Sequence, residues 1–243
     1  MDENQIILID KPAGISSFGV VAKVRGRLKT EFGHKIKVGH TGTLDPFATG
    51  LLILLTGKMT KKSNEFLKLD KIYEATLKLG YTSTTGDPEG EIQPYLSEDN
   101  APGDTLSRSI FGDGPNTERP KPVTTGLRER SEKDVSLVLD SFIGTITQTP
   151  PRFSAIKING ERAYKLARQG KDFEIPSRKV EIYSIKILEY NYPELKILCH
   201  VSSGTYIRTL AEDIGEKLGT GAYLTALRRL QIGNYNVKDA TVL

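Results

Sequence analysis

The chain has 243 residues, of which 37% are hydrophobic and 26% are charged, and its formal net charge is +4. This length suits one large domain with a sizeable core, and the longest apolar run is far shorter than the roughly 20 residues of a membrane-spanning helix. The acidic, polar start lacks the features of a signal peptide, and the single cysteine, Cys199, excludes an internal disulfide, so we expect a cytoplasmic protein. The small positive charge permits a nucleic-acid partner but does not indicate one.

The first quarter of the chain predicts a strand, a capped helix and a second, buried strand. Residues 5–10 are a short apolar run that ends in the turn sequence KPAG. Ser16 or Ser17 could cap the helix that follows, which has apolar residues at helical spacing, namely Val20, Val21, Val24 and Leu28. Residues 48–56 form a continuous apolar run, which is typical of a buried strand.

The segment between this helix and the buried strand is the most unusual part of the sequence. We call residues 38–50 (VGHTGTLDPFATG) the aspartate loop, because their only carboxylate is Asp45. Its glycines allow the backbone to pass close to a ligand, and Pro46 restricts Asp45 to extended backbone angles. Two interpretations are open: a tight turn in which Asp45 bonds its own backbone, or a carboxylate that is held toward a ligand.

The middle of the chain is predicted to alternate between regular structure and polar loops. Residues 57–69 are rich in lysine and indicate a basic helix, while residues 71–79 alternate between apolar and polar side chains, as a strand does. Residues 81–90 (YTSTTGDPEG) indicate a loop. Residues 93–130 contain few apolar positions and are predicted to be an exposed insertion rather than a separate domain.

The second half combines helices with further strands. A capping box at Ser131 starts a helix, residues 145–148 are a short strand, and Asn159-Gly160 indicates a hairpin turn. Further patterns predict a short helix over 163–169, strands over 180–189 and 195–201, an amphipathic helix over 207–218 and a shorter helix over 224–230. Because these elements do not alternate regularly, we predict an α+β fold in one domain, residues 1–243, with a mixed, mostly antiparallel central sheet flanked by helices and loops.

Arg208 is the residue best suited to act with Asp45. It follows a glycine turn at the start of a helix, where a cation interacts poorly with the helix dipole. It could form an ordinary surface salt bridge, or its planar fork could bind both oxygens of a carboxylate. A buried pair with Arg208 would keep Asp45 ionised, and an ionised, fixed carboxylate can attack carbon. Tyr73 with Lys71, and Leu227 with Arg228 and Arg229, are two further candidate groups.

Seven segments of the chain resemble the TruB family of tRNA pseudouridine synthases, and they occur in that family's order. They run from Asp10 to about Gly233 and read DKPAGISS, VGHTGTLDPFATGLL, KIYEATLKLG, TTGDPEG, QTPPRFSAIKINGERAY, SGTYIRTLAEDIG and LRRLQIG. So many motifs over nearly the whole chain are far more specific than one glycine-rich loop. The resemblance implies the pseudouridine synthase fold and the conversion of uridine 55, in the TΨC loop of tRNA, to pseudouridine.

The resemblance also implies a role for individual residues. Asp45 matches the catalytic nucleophile, which attacks either C6 of the base or C1′ of the ribose. Tyr73 matches the tyrosine that stacks on the target base and is a candidate for proton removal at C5, and Arg208 matches the arginine that pairs with the aspartate. The expected substrate-binding residues are His40 beside the flipped nucleotide, Leu227 in the base pocket, and Lys71, Gly42 and Thr43.

The implied partner is the TΨC stem-loop of a tRNA, with no metal, no organic cofactor and no membrane, and the chain is expected to be a monomer. Candidates for phosphate contacts are Lys11, Lys71, Lys157, Arg162, Arg168, Arg228 and Arg229. Only about ten residues follow Gly233, so we expect no C-terminal RNA-binding domain.

Three other functions are considered. They are a guide-RNA-dependent pseudouridine synthase subunit, a tRNA-binding folding helper with dispensable catalysis, and a glycoside hydrolase. The last would need two carboxylates at one bond, and the sequence offers only Asp45 as a convincing candidate.

Overall fold

The computed structural model describes residues 2–95 and 129–243. Most of the insertion predicted at residues 93–130 lies outside the described residues. In the described parts of the chain, no helix is both long and apolar enough to cross a membrane.

The N-terminal part contributes the strands that surround the aspartate loop. Its elements are β1 (Ile6–Lys11), α1 (Ser17–Phe32), β2 (Val38–His40), β3 (Thr49–Thr56), a 3-10 helix (Gly57–Lys62), α2 (Ser63–Leu67), β4 (Lys71–Leu79), β5 (Tyr81–Ser83) and β6 (Ile92–Pro94). The basic helix predicted over residues 57–69 is therefore two short helices of different type, and the loop predicted over residues 81–90 begins with β5, which pairs with β6.

The C-terminal part contributes three α-helices, a 3-10 helix and the two longest described strands. Its elements are α3 (Glu132–Asp140), β7 (Gly144–Gln148), β8 (Lys157–Ile158), β9 (Glu161–Arg162), α4 (Ala163–Arg168), β10 (Arg178–Asn191), β11 (Glu194–Val201), α5 (Ile207–Leu218), β12 (Ala222–Ile232), β13 (Tyr235–Asn236), a 3-10 helix (Val237–Asp239) and β14 (Thr241–Val242).

One central sheet joins both parts. Among the described residues its order is β14-β1-β3-β12-β4-β11-β10-β7, with β2 beside β3 and β13 beside β12. The β1–β14 and β3–β12 pairs are parallel and the other pairs are antiparallel. The predicted α+β fold with a mixed, mostly antiparallel sheet is confirmed.

The largest core lies on one face of this sheet, under α3 and α5. Alternate residues of β4 and β11 point into it, and it also contains Leu44 and Ala48 from the aspartate loop. A second core packs α1 against β1, β2 and β3. The aspartate loop therefore lies between two packed layers, which restricts its movement.

Local sequence signals set several boundaries as predicted. Ser16 caps α1 by accepting a hydrogen bond from the Gly19 amide, and Ser131 forms the capping box of α3 with Asp134. The hairpin turn between β8 and β9 places Asn159 and Gly160 at φ 49° and 89°, the left-handed region that this residue pair favours.

The helix predicted over residues 224–230 is wrong, because this segment is the middle of strand β12. The strand lies between β3 and β4, so both of its edges are paired. Its register against β4 shifts between Leu224 and Ala226 and again between Arg229 and Gln231. Each shift leaves one extra residue in β12, so side chains that point to the same face are three positions apart instead of two. In the sequence, this spacing of apolar residues resembles that of a helix.

Candidate active site

The aspartate loop forms one wall of a cavity of about 780 Å³, which lies within the size range of ligand-binding sites. The opposite walls come from the loop after β5 and from the segment between β7 and α4. The lining includes His40, Thr43, Leu44, Asp45, Thr85, Asp87, Glu89, Phe153, Arg162, Tyr164, Arg168 and Arg208. The first turn of α1 lines the remaining side with Ser17 and Phe18.

Buried polar side chains hold the aspartate loop in place. The Ser17 hydroxyl accepts from the Leu44 amide at 2.8 Å and donates to its carbonyl at 2.9 Å. The Lys11 ammonium donates to the carbonyls of Ile15 at 2.7 Å and Pro46 at 3.2 Å. Asp45 thus lies between two residues whose backbone is bonded to buried side chains, which restrains the backbone of Asp45 at the cavity wall.

The fully buried Arg229 fixes the other end of this loop. Its Nε donates to the Leu51 carbonyl at 2.8 Å and its Nη2 to the Gly42 carbonyl at 3.1 Å. Gly50 has φ 100°, and a Cβ there would lie 2.3 Å from the Arg229 carbonyl oxygen. Only glycine fits this close approach of β3 to β12.

Arg208 and Asp45 meet, as predicted, although not in the predicted geometry. Arg208 Nε lies 3.1 Å from Asp45 Oδ2. Arg208 Nη1 donates to the Thr85 carbonyl and to Asp87 Oδ2, both at 3.0 Å, and Nη2 donates to the Phe153 carbonyl at 2.9 Å. The expected bidentate pair with Asp45 is therefore wrong, because both Nη atoms are bonded to other groups.

Asp87 is the functional candidate that sequence reasoning missed. Its side chain is only 4% exposed, and Oδ1 accepts from the Thr85 hydroxyl at 2.6 Å and the Glu89 amide at 3.0 Å. Arg208 therefore bridges two carboxylates that come from separate loops. The acidic, glycine-containing TTGDPEG segment could have indicated a functional carboxylate, but the same pattern is equally typical of a turn. Only the contact with Arg208 distinguishes the two.

Burial raises the pKa of two carboxyl groups near Arg208. Burial raises the pKa of Asp45 above its ordinary value, and the Asp87 charge adds to this, while Arg208, Lys11 and Arg229 oppose it. Arg208 lowers the pKa of Asp45, as expected, but the opposite effect of burial is larger. The Asp45 side chain is still 32% exposed, toward the cavity. Burial also raises the pKa of Glu212, one turn after Arg208 on α5, to about 7.

The other expected base-contacting residues divide between the cavity wall and the core beneath it. His40 lines the cavity, and its Nδ1 is buried without a hydrogen-bond partner among the described residues. Burial lowers the pKa of His40, and the nearby charges of Arg229 and Arg162 lower it further. Tyr73 and Leu227 instead lie in the large core with Leu44, each 8% exposed, outside the described lining of the cavity.

Three further residues were expected to bind substrate. Thr43 lines the cavity. Gly42 is outside the described lining, and its carbonyl accepts a hydrogen bond from Arg229. Lys71 is buried, and its ammonium donates to the carbonyls of Leu67 and Leu69. The structure thus gives Lys71 a different role from the expected substrate contact, because its ammonium holds the chain segment before β4.

The candidate phosphate contacts also separate into two groups. Arg162 and Arg168 line the cavity, and Lys157 is exposed on β8. Lys11 and Arg229 are buried and bonded to carbonyls, and Arg228 forms a bidentate pair with Asp10 at 2.7 and 3.0 Å. The charged groups of Lys11, Lys71 and Arg229 thus donate hydrogen bonds to backbone carbonyls, and we no longer expect these residues to contact phosphates.

Protein-family models match the chain from residue 28 onward, which includes Asp45, Asp87 and Arg208. A model of the N-terminal domain of TruB family pseudouridylate synthases matches residues 28–110 and 114–207. A model of the tRNA pseudouridylate synthase B C-terminal domain matches residues 208–243.

Curated relatives are similar over nearly the whole of this chain. The tRNA pseudouridine synthase B of Phocaeicola vulgatus is 42% identical over 238 residues, which cover 98% of this chain and 89% of the relative. The protein of that name from Aquifex aeolicus is 42% identical over 240 residues, or 98% and 71%. The one from Bifidobacterium longum strain DJO10A is 41% identical over 261 residues, and the chain spans 64% of its length.

Solved structures agree at the level of the fold. A chain in the crystal structure of a Cbf5-Nop10-Gar1 complex superposes with a TM-score of 0.63 at 26% identity, covering 99% of this chain and 52% of that chain. A chain in the archaeal box H/ACA sRNP Nop10-Cbf5 complex gives 0.60 at 25% identity, with 99% and 51% coverage. The family models and the relatives above 40% identity together show that this chain belongs to the TruB family of pseudouridylate synthases.

Proposed function

We propose that the protein isomerises uridine 55 in the TΨC loop of tRNA to pseudouridine, with Asp45 as the nucleophile. The observation that carries the proposal is the position of Asp45, fixed at the wall of an open cavity and paired with an arginine that a second carboxylate holds. Its relatives at about 40% identity are named as enzymes acting on tRNA.

The proposed reaction moves the base without changing its composition. Asp45 attacks either C6 of the base or C1′ of the ribose, and the bond between N1 and C1′ breaks. The base then turns, a bond forms between C5 and C1′, and the carboxylate leaves. C5 loses a proton and N1 gains one, so neither an oxidant nor a hydrolytic water is consumed.

In this proposal the uridine leaves its stack to reach Asp45. Extrusion of a base costs a few kcal/mol, which contacts inside the cavity must offset. Tyr73 belongs to the same core cluster as the cavity-lining Leu44. We propose that the base approaches its ring from the cavity, where stacking would contribute about 1–3 kcal/mol. Tyr73 stays a candidate for removing the C5 proton.

His40 is proposed to contact the flipped nucleotide as a neutral imidazole. Its lowered pKa favours the uncharged form at neutral pH, and its buried Nδ1 is free of hydrogen bonds to the described residues. A buried polar atom of this kind costs free energy until a ligand satisfies it.

A guide-RNA-dependent activity is the second candidate, since chains of a Cbf5-Nop10-Gar1 complex and of an archaeal box H/ACA sRNP complex share the fold. The relatives named as tRNA enzymes are more similar in sequence, at 42% identity against 26%. We therefore propose tRNA rather than a guided RNA as the substrate. Activity on tRNA without any added RNA would separate the two.

The test is incubation of the protein with an unmodified tRNA transcript, followed by chemical mapping of pseudouridine. We expect product at position 55 and none with Asp45→Asn. Asp70→Asn is the matched control, because Asp70 is similarly exposed, at 36%, and is paired with His200 outside the cavity. No product from the wild type would refute the function, and normal product from Asp45→Asn would refute the assigned nucleophile. Activity of Asp45→Asn in folding a tRNA would instead favour the folding-helper function.

A further inference from the structure

Phe18 is a large apolar side chain at the edge of the Asp45 cavity, and 65% of it is exposed. Single exposed apolar residues are common on protein surfaces and need no function. Phe18 differs from such residues in three ways: where it lies, how firmly it is held, and what charge lies beside it.

The position of Phe18 is coupled directly to that of Asp45. The neighbouring Ser17 is buried and makes two hydrogen bonds to the backbone of Leu44, the residue before Asp45. On the other side of Ser17, the Ser16 hydroxyl caps the helix. The first turn of α1 and the aspartate loop therefore form one unit, and Phe18 projects from that unit at the cavity wall.

A cation accompanies the ring. The guanidinium carbon of Arg25 lies 5.9 Å from the centroid of the Phe18 ring, and Arg25 Nη2 donates to the Val38 carbonyl at 3.3 Å. This bond ties Arg25 to the strand that begins the aspartate loop. Aromatic faces beside arginine are typical of surfaces on which unpaired bases stack while the cation approaches the phosphate backbone.

From these contacts we infer that Phe18 is a stacking platform for a base next to the target uridine. The inference rests on the proposed function, because it requires an RNA whose target base occupies the Asp45 cavity. The nucleotides on either side of a flipped base lose a stacking neighbour, and the exposed ring at the cavity edge replaces it. Because every base has an apolar face, this contact adds affinity and positioning rather than sequence preference.

The test measures RNA binding, so that it does not depend on turnover. All variants carry Asp45→Asn, and dissociation constants for unmodified tRNA are measured by filter binding. We expect Phe18→Ala to weaken binding at least about fivefold, while Phe18→Trp, which keeps an aromatic face, stays within about twofold. Leu137→Ala is the control, since Leu137 is 61% exposed on α3, away from the cavity, and it should also stay within about twofold.

A series of stem-loop RNAs, each lacking one base beside the target, then identifies the stacked base. The loss caused by Phe18→Ala should vanish for one of these RNAs and persist for the others. Phe18→Ala binding like Leu137→Ala would overturn the inference, as would an equal loss in Phe18→Trp or an equal effect on every abasic RNA. Product formation by the wild type tests the proposed function separately, so the two failures are distinguishable.

Discussion

Asp87→Asn is the substitution that tests the arrangement around Arg208 most directly. Asparagine keeps an oxygen for the Thr85 hydroxyl and the Glu89 amide, but it replaces Oδ2, 3.0 Å from Arg208 Nη1, by an amide group that donates. A hydrogen bond to a charged group is worth about 1.5–3 kcal/mol. Arg208 keeps Asp45 and two carbonyls as partners. We therefore expect the free energy of unfolding to fall by about 1–3 kcal/mol, which is less than the loss when a buried charge has no remaining partner.

The same substitution should also slow catalysis. Without Asp87 the Arg208 side chain is held at fewer points, and a displacement of about 1 Å at a reacting group costs about 100-fold in rate. We therefore expect a fall in kcat of about 100-fold, measured with saturating tRNA as the release of tritium from C5-labelled uridine.

The pH dependence gives a second, independent readout. Burial is the main cause of the raised pKa of Asp45, and the charge of Asp87 adds to it. In the proposed mechanism Asp45 must be ionised to attack, so activity should rise with pH through its pKa. Removing the Asp87 charge lowers that pKa, and the acid limb of the rate profile should therefore move to lower pH.

Asp10→Asn is the control for this experiment. It removes one member of another Arg–Asp pair, with Arg228, in which the aspartate side chain is 24% exposed and lies outside the described lining of the cavity. This variant should lose stability without any shift of the acid limb. An Asp87→Asn enzyme with full kcat and an unshifted limb would refute the role assigned to Asp87.

Three further predictions follow from the same structure. Arg208→Lys should lower kcat about 100-fold with a smaller change in KM, and full activity would contradict the need for a forked cation. Gly50→Ala should lower the free energy of unfolding, measured in urea, by more than about 3 kcal/mol, because its Cβ would overlap a backbone carbonyl of β12. Gly26→Ala should instead raise it by about 0.5–1 kcal/mol, because a Cβ at this position of α1 meets no neighbouring atom. Burial raises the pKa of Glu212 from 4.5 to about 7, so stability should fall as pH rises across that range. The variant Glu212→Gln should be about 1–3 kcal/mol more stable than wild type at pH 8 and equal near pH 4, unlike the exposed control Glu194→Gln.

Local sequence patterns determined most of the regular structure. Three predicted features depend only on residues a few positions apart, so the local sequence is enough to predict them. They are the cap at Ser16, the capping box at Ser131 and the Asn159-Gly160 turn. Strand β4 was predicted with its observed bounds, since alternation is strict where one face is buried. Strand β12 was missed because its register shifts depend on the strands beside it.

The sequence by itself also identified the family, because matched motifs along the chain need no coordinates, and it singled out Asp45 and Arg208 as the candidate residues. Only the tertiary structure decided how the cations are used. Lys11, Lys71 and Arg229 look like RNA-binding residues in the sequence, but buried backbone carbonyls surround their charged groups. Arg208 likewise acquires Asp87 from a segment 121 positions away in the chain. Charge and spacing are properties of the chain, whereas burial and partner choice depend on which distant segments packing brings together.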